Sequence, residues 1–169
     1  MEHEDYVKAS EHWKPIDAAA VKMPDEKLKA AIEEYISKNN TCALATGSGS
    51  QIRNTPIEYS YHDGAFWMFS EGGEKFIGLE KNRQVCLAIF DGYAGFGKLK
   101  GMQVQGEADI IEPFSEEYTA AAAWKKIPIE ALKKLPQTMY LIKVVPERID
   151  FLNSDFKKDG YGSRQELRL

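Results

Sequence analysis

The 169-residue sequence predicts a mainly β fold with flanking helices (α+β), built on a small antiparallel barrel of six strands. Three observations carry this reading. Six short runs are apolar or alternate with the two-residue period of a strand, and turn signals such as Gly47-Ser48-Gly49-Ser50, Asp63-Gly64 and Gly72-Gly73 separate the early ones. A short helical segment stands between the third and fourth runs. Longer helical segments precede the first strand and follow the fifth. No repeat or linker divides the chain, so residues 1–169 read as one domain: an N-terminal arm (1–23), a helix (24–40), the barrel (41–152) and a C-terminal tail (153–169).

Taken in order, the first 20 or so residues have no clear period and read as an arm. Pro24 opens a helix with Asp25 and Glu26 in its first turn, where the helix dipole favours anions. Leu28, Ile32, Tyr35 and Ile36 line one face of it, and Asn39-Asn40 ends it. Thr41 to Thr46 is a short apolar strand. Gln51 to Tyr61 is a long one, with Arg53, Thr55, Ile57, Tyr59 and Tyr61 on one face. Pro56 within it implies an edge or a bulge. Ala65 to Ser70 is the third strand, and a helix runs from about Glu74 to Lys81. Gln84 to Phe90 lacks polar alternation and reads as buried on both faces or central in the barrel. Gly101 to Ile111 alternates cleanly, Met102, Val104, Ala108 and Ile110 against Gln103, Gln105, Glu107 and Asp109. Ser115 to Lys126 and Ile129 to Leu135 are helical, Met139 to Val145 is a sixth strand stopped by Pro146, and the tail from Asn153 is polar.

The net charge of −4 argues against a nucleic-acid partner, which calls for a concentrated basic face. Binding one anionic small molecule needs only a few placed cations. The two cysteines, Cys42 and Cys86, sit in apolar runs and read as small buried hydrophobes; with no C-x-x-C pair, no zinc or dithiol site is expected. His3, His12 and His62 are scattered and suggest neither a metal site nor a catalytic dyad. The acidic start is unlike a signal peptide, and no apolar stretch nears the roughly 20 residues that cross a bilayer. The expected location is cytoplasmic, with no membrane partner.

Two positions suggest an anion site. Lys75 follows Gly72-Gly73 in the first turn of a helix, where the dipole opposes a cation unless an anion is also present. Arg53 and Thr55 share a strand face, a planar fork beside a hydroxyl. Each alone is equally compatible with a solvated surface residue. The loop from Asp91 to Lys98 holds Gly-x-x-Gly-x-Gly, but between two strands, whereas the dinucleotide fingerprint requires a strand before it and a helix after it. Tyr93 and Phe96 on that loop fit either a cap over a partner's ligand or a surface hairpin.

Residues 41–112 resemble the FMN-binding split-barrel superfamily, which includes pyridoxamine 5′-phosphate oxidase and small bacterial FMN-binding proteins. The resemblance rests on an ordered series: Thr41-Cys42-Ala43-Leu44-Ala45-Thr46, Arg53-Asn54-Thr55-Pro56, Phe66-Trp67-Met68-Phe69-Ser70, Gly72-Gly73-Glu74-Lys75, Lys81-Asn82-Arg83-Gln84-Val85 and Val104-Gln105-Gly106-Glu107-Ala108. It implies FMN at the interface of a homodimer. Arg53, Thr55 and Lys75, with Asn54 adjacent, would hold the phosphate; Met68, Phe69 and Ser70 would lie along the flavin ring, partly through backbone groups; Gln103 would reach a flavin from the other subunit. The departures are also informative. Glu74-Lys75 replaces an arginine–lysine pair, Gly101 stands where a glutamine contacts the flavin, and Leu152 stands where a tryptophan is usual. The region Gly162-Ser163-Arg164-Gln165-Glu166 lacks the family's substrate histidine, so vitamin B6 oxidation is not expected. The implied function is a flavin-dependent oxidoreductase acting on an unidentified small molecule, with no catalytic residue singled out. The alternatives are a non-catalytic flavin, haem or deazaflavin binder, or an electron-transfer protein.

Overall fold

A computed structural model describes residues 1–169, all of the chain. The elements run α1 (His3–Glu11), α2 (Lys14–Ala19), α3 (Asp25–Lys38), β1 (Thr41–Ser48), β2 (Gln51–Glu58), β3 (Ser60–His62), β4 (Ala65–Ser70), α4 (Lys75–Lys81), β5 (Gln84–Phe90), β6 (Lys100–Ile111), α5 (Glu116–Trp124), α6 (Ile129–Lys133), β7 (Tyr140–Asn153) and β8 (Arg164–Arg168). No helix is long and apolar enough to cross a membrane.

The strands form one eight-stranded antiparallel sheet in the order β2-β1-β5-β6-β7-β4-β3, with β8 paired to β7. Its two ends, β2 and β3, are consecutive in the chain, so the sheet curls back on itself as a split barrel. The expected second strand is therefore divided at Tyr59. Its first part pairs with β1 and its second with β4, and the Tyr59 N–H bonds the Asn40 carbonyl instead of a neighbouring strand. This division raises the expected strand count, and the tail raises it again. The chain from Asn153 is not a free polar tail: it makes a 3-10 turn and returns as β8, burying Gln165 and Leu167.

Pro146 does not stop the sixth strand. β7 continues to Asn153 because the ladder with β6 breaks there: Gln105 faces Arg148 and Gly106 faces Pro146, leaving Glu147 as the extra residue of a bulge. The N-terminal arm is also more ordered than expected. It forms α1 and α2, neither with a buried residue, and is anchored behind them where Gln165 accepts from the Met23 N–H and donates to the Val21 carbonyl.

One hydrophobic cluster fills the barrel. Leu28, Ile32, Tyr35 and Ile36 of α3 pack with Leu44, Phe66, Met68, Leu87, Val104 and Val144. A second cluster lies outside the barrel, where Ala65 and Trp67 of β4 meet Tyr118, Ala121 and Ala122 of α5 and Leu132 of α6. β4 is therefore the strand buried on both faces. β5, expected to be buried on both faces or central in the barrel, is an interior strand between β1 and β6; it turns Val85, Leu87 and Ile89 inward and leaves Ala88 half-buried and Phe90 exposed. Its outward residues Cys86, Ala88 and Phe90 are small or apolar without being buried, and periodicity cannot separate that case from full burial.

The α5 N-terminus yields a first prediction. The Ser115 hydroxyl accepts from the Tyr118 N–H at 3.2 Å, satisfying one of the free donors of the first turn. Ser115→Ala is expected to cost about 1 kcal/mol. In thermal unfolding that is a fall of about 2–4 °C for a chain of this size. An unchanged midpoint would mean that solvent replaces the cap.

Candidate functional site

β4 is paired to β7 from Phe66 to Ser70, but to β3 only from Ala65 to Trp67. Beyond Trp67 the chain of β2 has already left for β1. From Met68 to Ser70 one edge of β4 therefore faces β2 without a ladder. Free backbone donors and acceptors along a strand edge are ready partners for a ligand. This opening is the split in the barrel, and the residues at its mouth make the candidate site.

After Ser70 the chain turns through Gly72 (φ 127) and Gly73 (φ 105), in the left-handed region that favours glycine, and enters α4. The turn returns Lys75 toward the strand end. Lys75 is only 7% exposed, and its ammonium donates to the Gly72 carbonyl. The Ser70 hydroxyl, 7% exposed, contacts the Gly72 N–H and carbonyl at 3.2 Å each. No carboxylate lies within 4.0 Å of the Lys75 nitrogen. Burial, with the nearby Arg53 charge second, holds its pKa below the usual lysine value.

α4 lies against β1 because Gly78 lacks a side chain. A Cβ there would come within 3.3 Å of the Gly47 nitrogen and 3.5 Å of the Thr46 hydroxyl. Thr46 faces Arg53 directly across the β1–β2 ladder. Its hydroxyl is the one buried side-chain polar atom without a hydrogen-bond partner. Arg53 is half exposed and reaches Glu74, at the start of α4, at 3.1 Å.

The structure thus gathers Arg53, Lys75 and Ser70, with Thr55 half-buried one alternation along β2 from Arg53. Asn54 points to the opposite face, opposite Ala45. The Met68 side chain is fully buried in the barrel cluster, and Phe69 packs edge-on against Tyr118 with centroids 5.3 Å apart, so both present backbone to the opening. Gln103 is remote, exposed on the outer face of β6 between Ala88 and Asp150. Thr46 was quoted in the sequence comparison but not singled out. Its only signal was a hydroxyl ending an apolar run, and no periodicity shows that α4 will cover it.

Two cations, one of them buried without a carboxylate, and an orphaned hydroxyl are the kinds of donor that an anion would satisfy. A pH effect follows. A lysine whose folded pKa is depressed binds its proton less well folded than unfolded, so its charge costs stability at low pH and that cost disappears as pH rises from the folded pKa towards the unfolded value. Without a bound anion, Lys75→Met should be the more stable form near neutrality, and the difference from wild type should shrink as pH approaches about 10.5, the ordinary lysine value. Thermal unfolding of the two proteins side by side measures this. A difference that does not change with pH would mean that folding leaves the Lys75 pKa where it is in the unfolded chain.

Residues 28–153 match the family model described as pyridoxamine 5′-phosphate oxidase. No curated protein sequence matches the chain. Among solved structures, the heme storage protein HutZ from Vibrio cholerae superposes with TM-score 0.59 at 19% identity, covering 71% of this chain and 90% of that one. A FAD-binding protein from Mesorhizobium loti superposes with TM-score 0.57 at 17% identity, over 72% of this chain and 89% of that one. A heme binding protein from Mycobacterium smegmatis superposes with TM-score 0.58 at 20% identity, over 82% of this chain and 57% of that one. At these identities the likeness establishes the fold.

Proposed function

The chain belongs to the pyridoxamine 5′-phosphate oxidase family, and from that premise we propose that it is an FMN-binding flavoprotein, active as a homodimer in the cytoplasm and serving as an oxidoreductase for a small molecule. The observation that carries this is Lys75, a buried ammonium with no carboxylate partner, near the charge of Arg53, which itself faces the residue with the unpartnered hydroxyl, Thr46, across the β1–β2 ladder. Two cations and a hydroxyl in one cleft suit a phosphate monoester, which offers several acceptor oxygens. Arg53 and Lys75 would hold that phosphate, with the Thr46 and Thr55 hydroxyls beside it and Asn54 at the margin. The open edge of β4 from Met68 to Ser70 would meet the hydrogen-bonding edge of the ring. When bound, FMN supplies one- and two-electron redox chemistry. The chain's own part is to bind, orient and shield.

Gln103 lies on the other face of the sheet, so it would serve a flavin only from a second copy. The region from Gly162 to Glu166, where the family's substrate histidine is absent, is committed here to structure. Gln165 secures the arm, and Arg164 pairs with Asp17 at 3.3 Å. Oxidation of vitamin B6 is therefore not part of the proposal.

The solved relatives include heme proteins as well as a FAD-binding one, so the fold admits either group. The histidines weigh against haem in this cleft. His3 and His12 are on and beside the N-terminal helix α1, and His62 stacks on Trp124 at 4.4 Å. His62 pairs with Ala65, about 17 Å along β4 from Ser70 at the usual strand rise.

The absorption spectrum of the purified protein, titrated with FMN, tests the reading. Flavin bands, or a saturable shift on adding FMN, are expected; a colourless protein indifferent to FMN, or a Soret band on adding haem in its place, overturns it. Turnover with reduced nicotinamide and an acceptor then separates an enzyme from a carrier, which would bind FMN without turnover.

A further inference from the structure

Of the two cations in the Lys75 cleft, one already has a counter-charge. Arg53, on β2, reaches the carboxylate of Glu74, the residue before α4, at 3.1 Å. Lys75 has no such partner, and the Arg53 charge is near enough to oppose its protonation. The cleft therefore carries two positive groups and one negative group of its own. Glu71, exposed on the same turn, forms no ion pair, so the negative group facing Arg53 is one residue and not the acidity of the turn.

The pair has little structural work. Glu74 stands at the N-cap position of α4, but its carboxylate makes no cap hydrogen bond. α4 is held against β1 by other means: Gly78 allows the close approach, and the Asn82 amide donates to the Gly47 carbonyl at 2.9 Å. The Arg53 and Glu74 side chains are 52% and 62% exposed. An ion pair this exposed changes an equilibrium by only about 1.4- to 5-fold, so a ligand can part it. A phosphate monoester offers Arg53 more acceptor oxygens than a carboxylate does, and its charge repels Glu74.

We propose that Glu74 is a built-in counter-anion, which competes with the ligand's phosphate for Arg53, lowers the affinity of the cleft and makes the ligand exchangeable instead of permanently held. When the phosphate enters, Arg53 turns from Glu74 to it. When the phosphate leaves, Glu74 takes Arg53 back, which favours release. The inference rests on the reading of the cleft as a phosphate site and concerns only the phosphate end of the ligand.

The test uses the full chain and flavin fluorescence, with inorganic phosphate as a second, flavin-free probe. Glu74→Gln should tighten FMN binding about 3- to 10-fold and slow FMN release. It should leave the affinity for riboflavin, which has no phosphate, unchanged. Glu71→Gln, the control, should leave FMN binding unchanged. In an Arg53→Gln background the gain from Glu74→Gln should shrink, because the two residues act through one contact. Inorganic phosphate should raise the thermal midpoint of Glu74→Gln more than that of wild type. Equal or weaker FMN binding in Glu74→Gln, the same gain in Glu71→Gln, or a gain undiminished without Arg53 would overturn the inference. If neither protein takes FMN but phosphate still stabilises Glu74→Gln more than wild type, the flavin reading fails and the counter-anion stands. If neither protein responds to FMN or to phosphate, both fail.

Discussion

Lys75→Met is expected to weaken FMN binding about 10- to 150-fold, the ratio equivalent to ~1.5–3 kcal/mol for a hydrogen bond to a charged group. The effect is large because Lys75 is the most deeply buried cation of the cleft, in a setting where charge interactions are little screened. Arg53 should matter less. It is half exposed and already engaged with Glu74, an interaction that a phosphate would have to compete with. The substitution also separates binding from folding. Methionine has similar length and no charge, so the FMN-free variant should be no less stable than wild type near neutrality. Loss of FMN affinity together with loss of stability would make Lys75 a structural residue. Retained affinity would mean that the phosphate, or whatever ligand the cleft takes, is held elsewhere.

Gly106→Ala is expected to destabilise the fold by about 3 kcal/mol or more, at the severe end for a single added methyl group. A Cβ at Gly106 would lie 2.2 Å from the Val145 carbonyl oxygen, 2.9 Å from its carbon and 3.0 Å from the Pro146 Cα. All three are backbone atoms, so no rotamer change relieves the clash. They are also fixed by the bulge that lets β7 pass Pro146 and pair with β4, β6 and β8. Closing the bulge to admit a methyl group would shift one half of β7 against β6, and a shift of one residue exchanges inward and outward side chains. Thermal unfolding should show a fall of about 6–12 °C. Gly92→Ala is the control: nothing lies within 4 Å of a Cβ there, and little change is expected. A Gly106→Ala midpoint close to the control's would mean that the bulge relaxes.

The sequence by itself determined what depends on neighbours along the chain. The two-residue period marked Gly101 to Ile111 as a strand with one buried face, and helical spacing with acidic residues in the first turn placed α3 nearly to the residue. Gly72-Gly73 marked the turn into α4, and Lys75 stood out because a cation in the first turn of a helix lacks a local reason. The ordered series of short motifs led to the family to which the chain belongs.

Tertiary structure decided what depends on partners distant in sequence. An extended run carries no mark of where it changes partner, so the division of the second strand at Tyr59, and with it the open edge of β4, could not be read locally. Pro146 argues for a strand end on propensity, but a bulge set by Gly106 on another strand overrides it. Polar residues from Asn153 onward argue for a free tail, yet Gln165 satisfies backbone groups 142 and 144 residues away. Thr46 became a site residue only because Gly78 lets α4 lie close over it. Periodicity reports which residues of one segment share a face; what covers that face is set by packing between segments, and the cleft around Lys75 is made there.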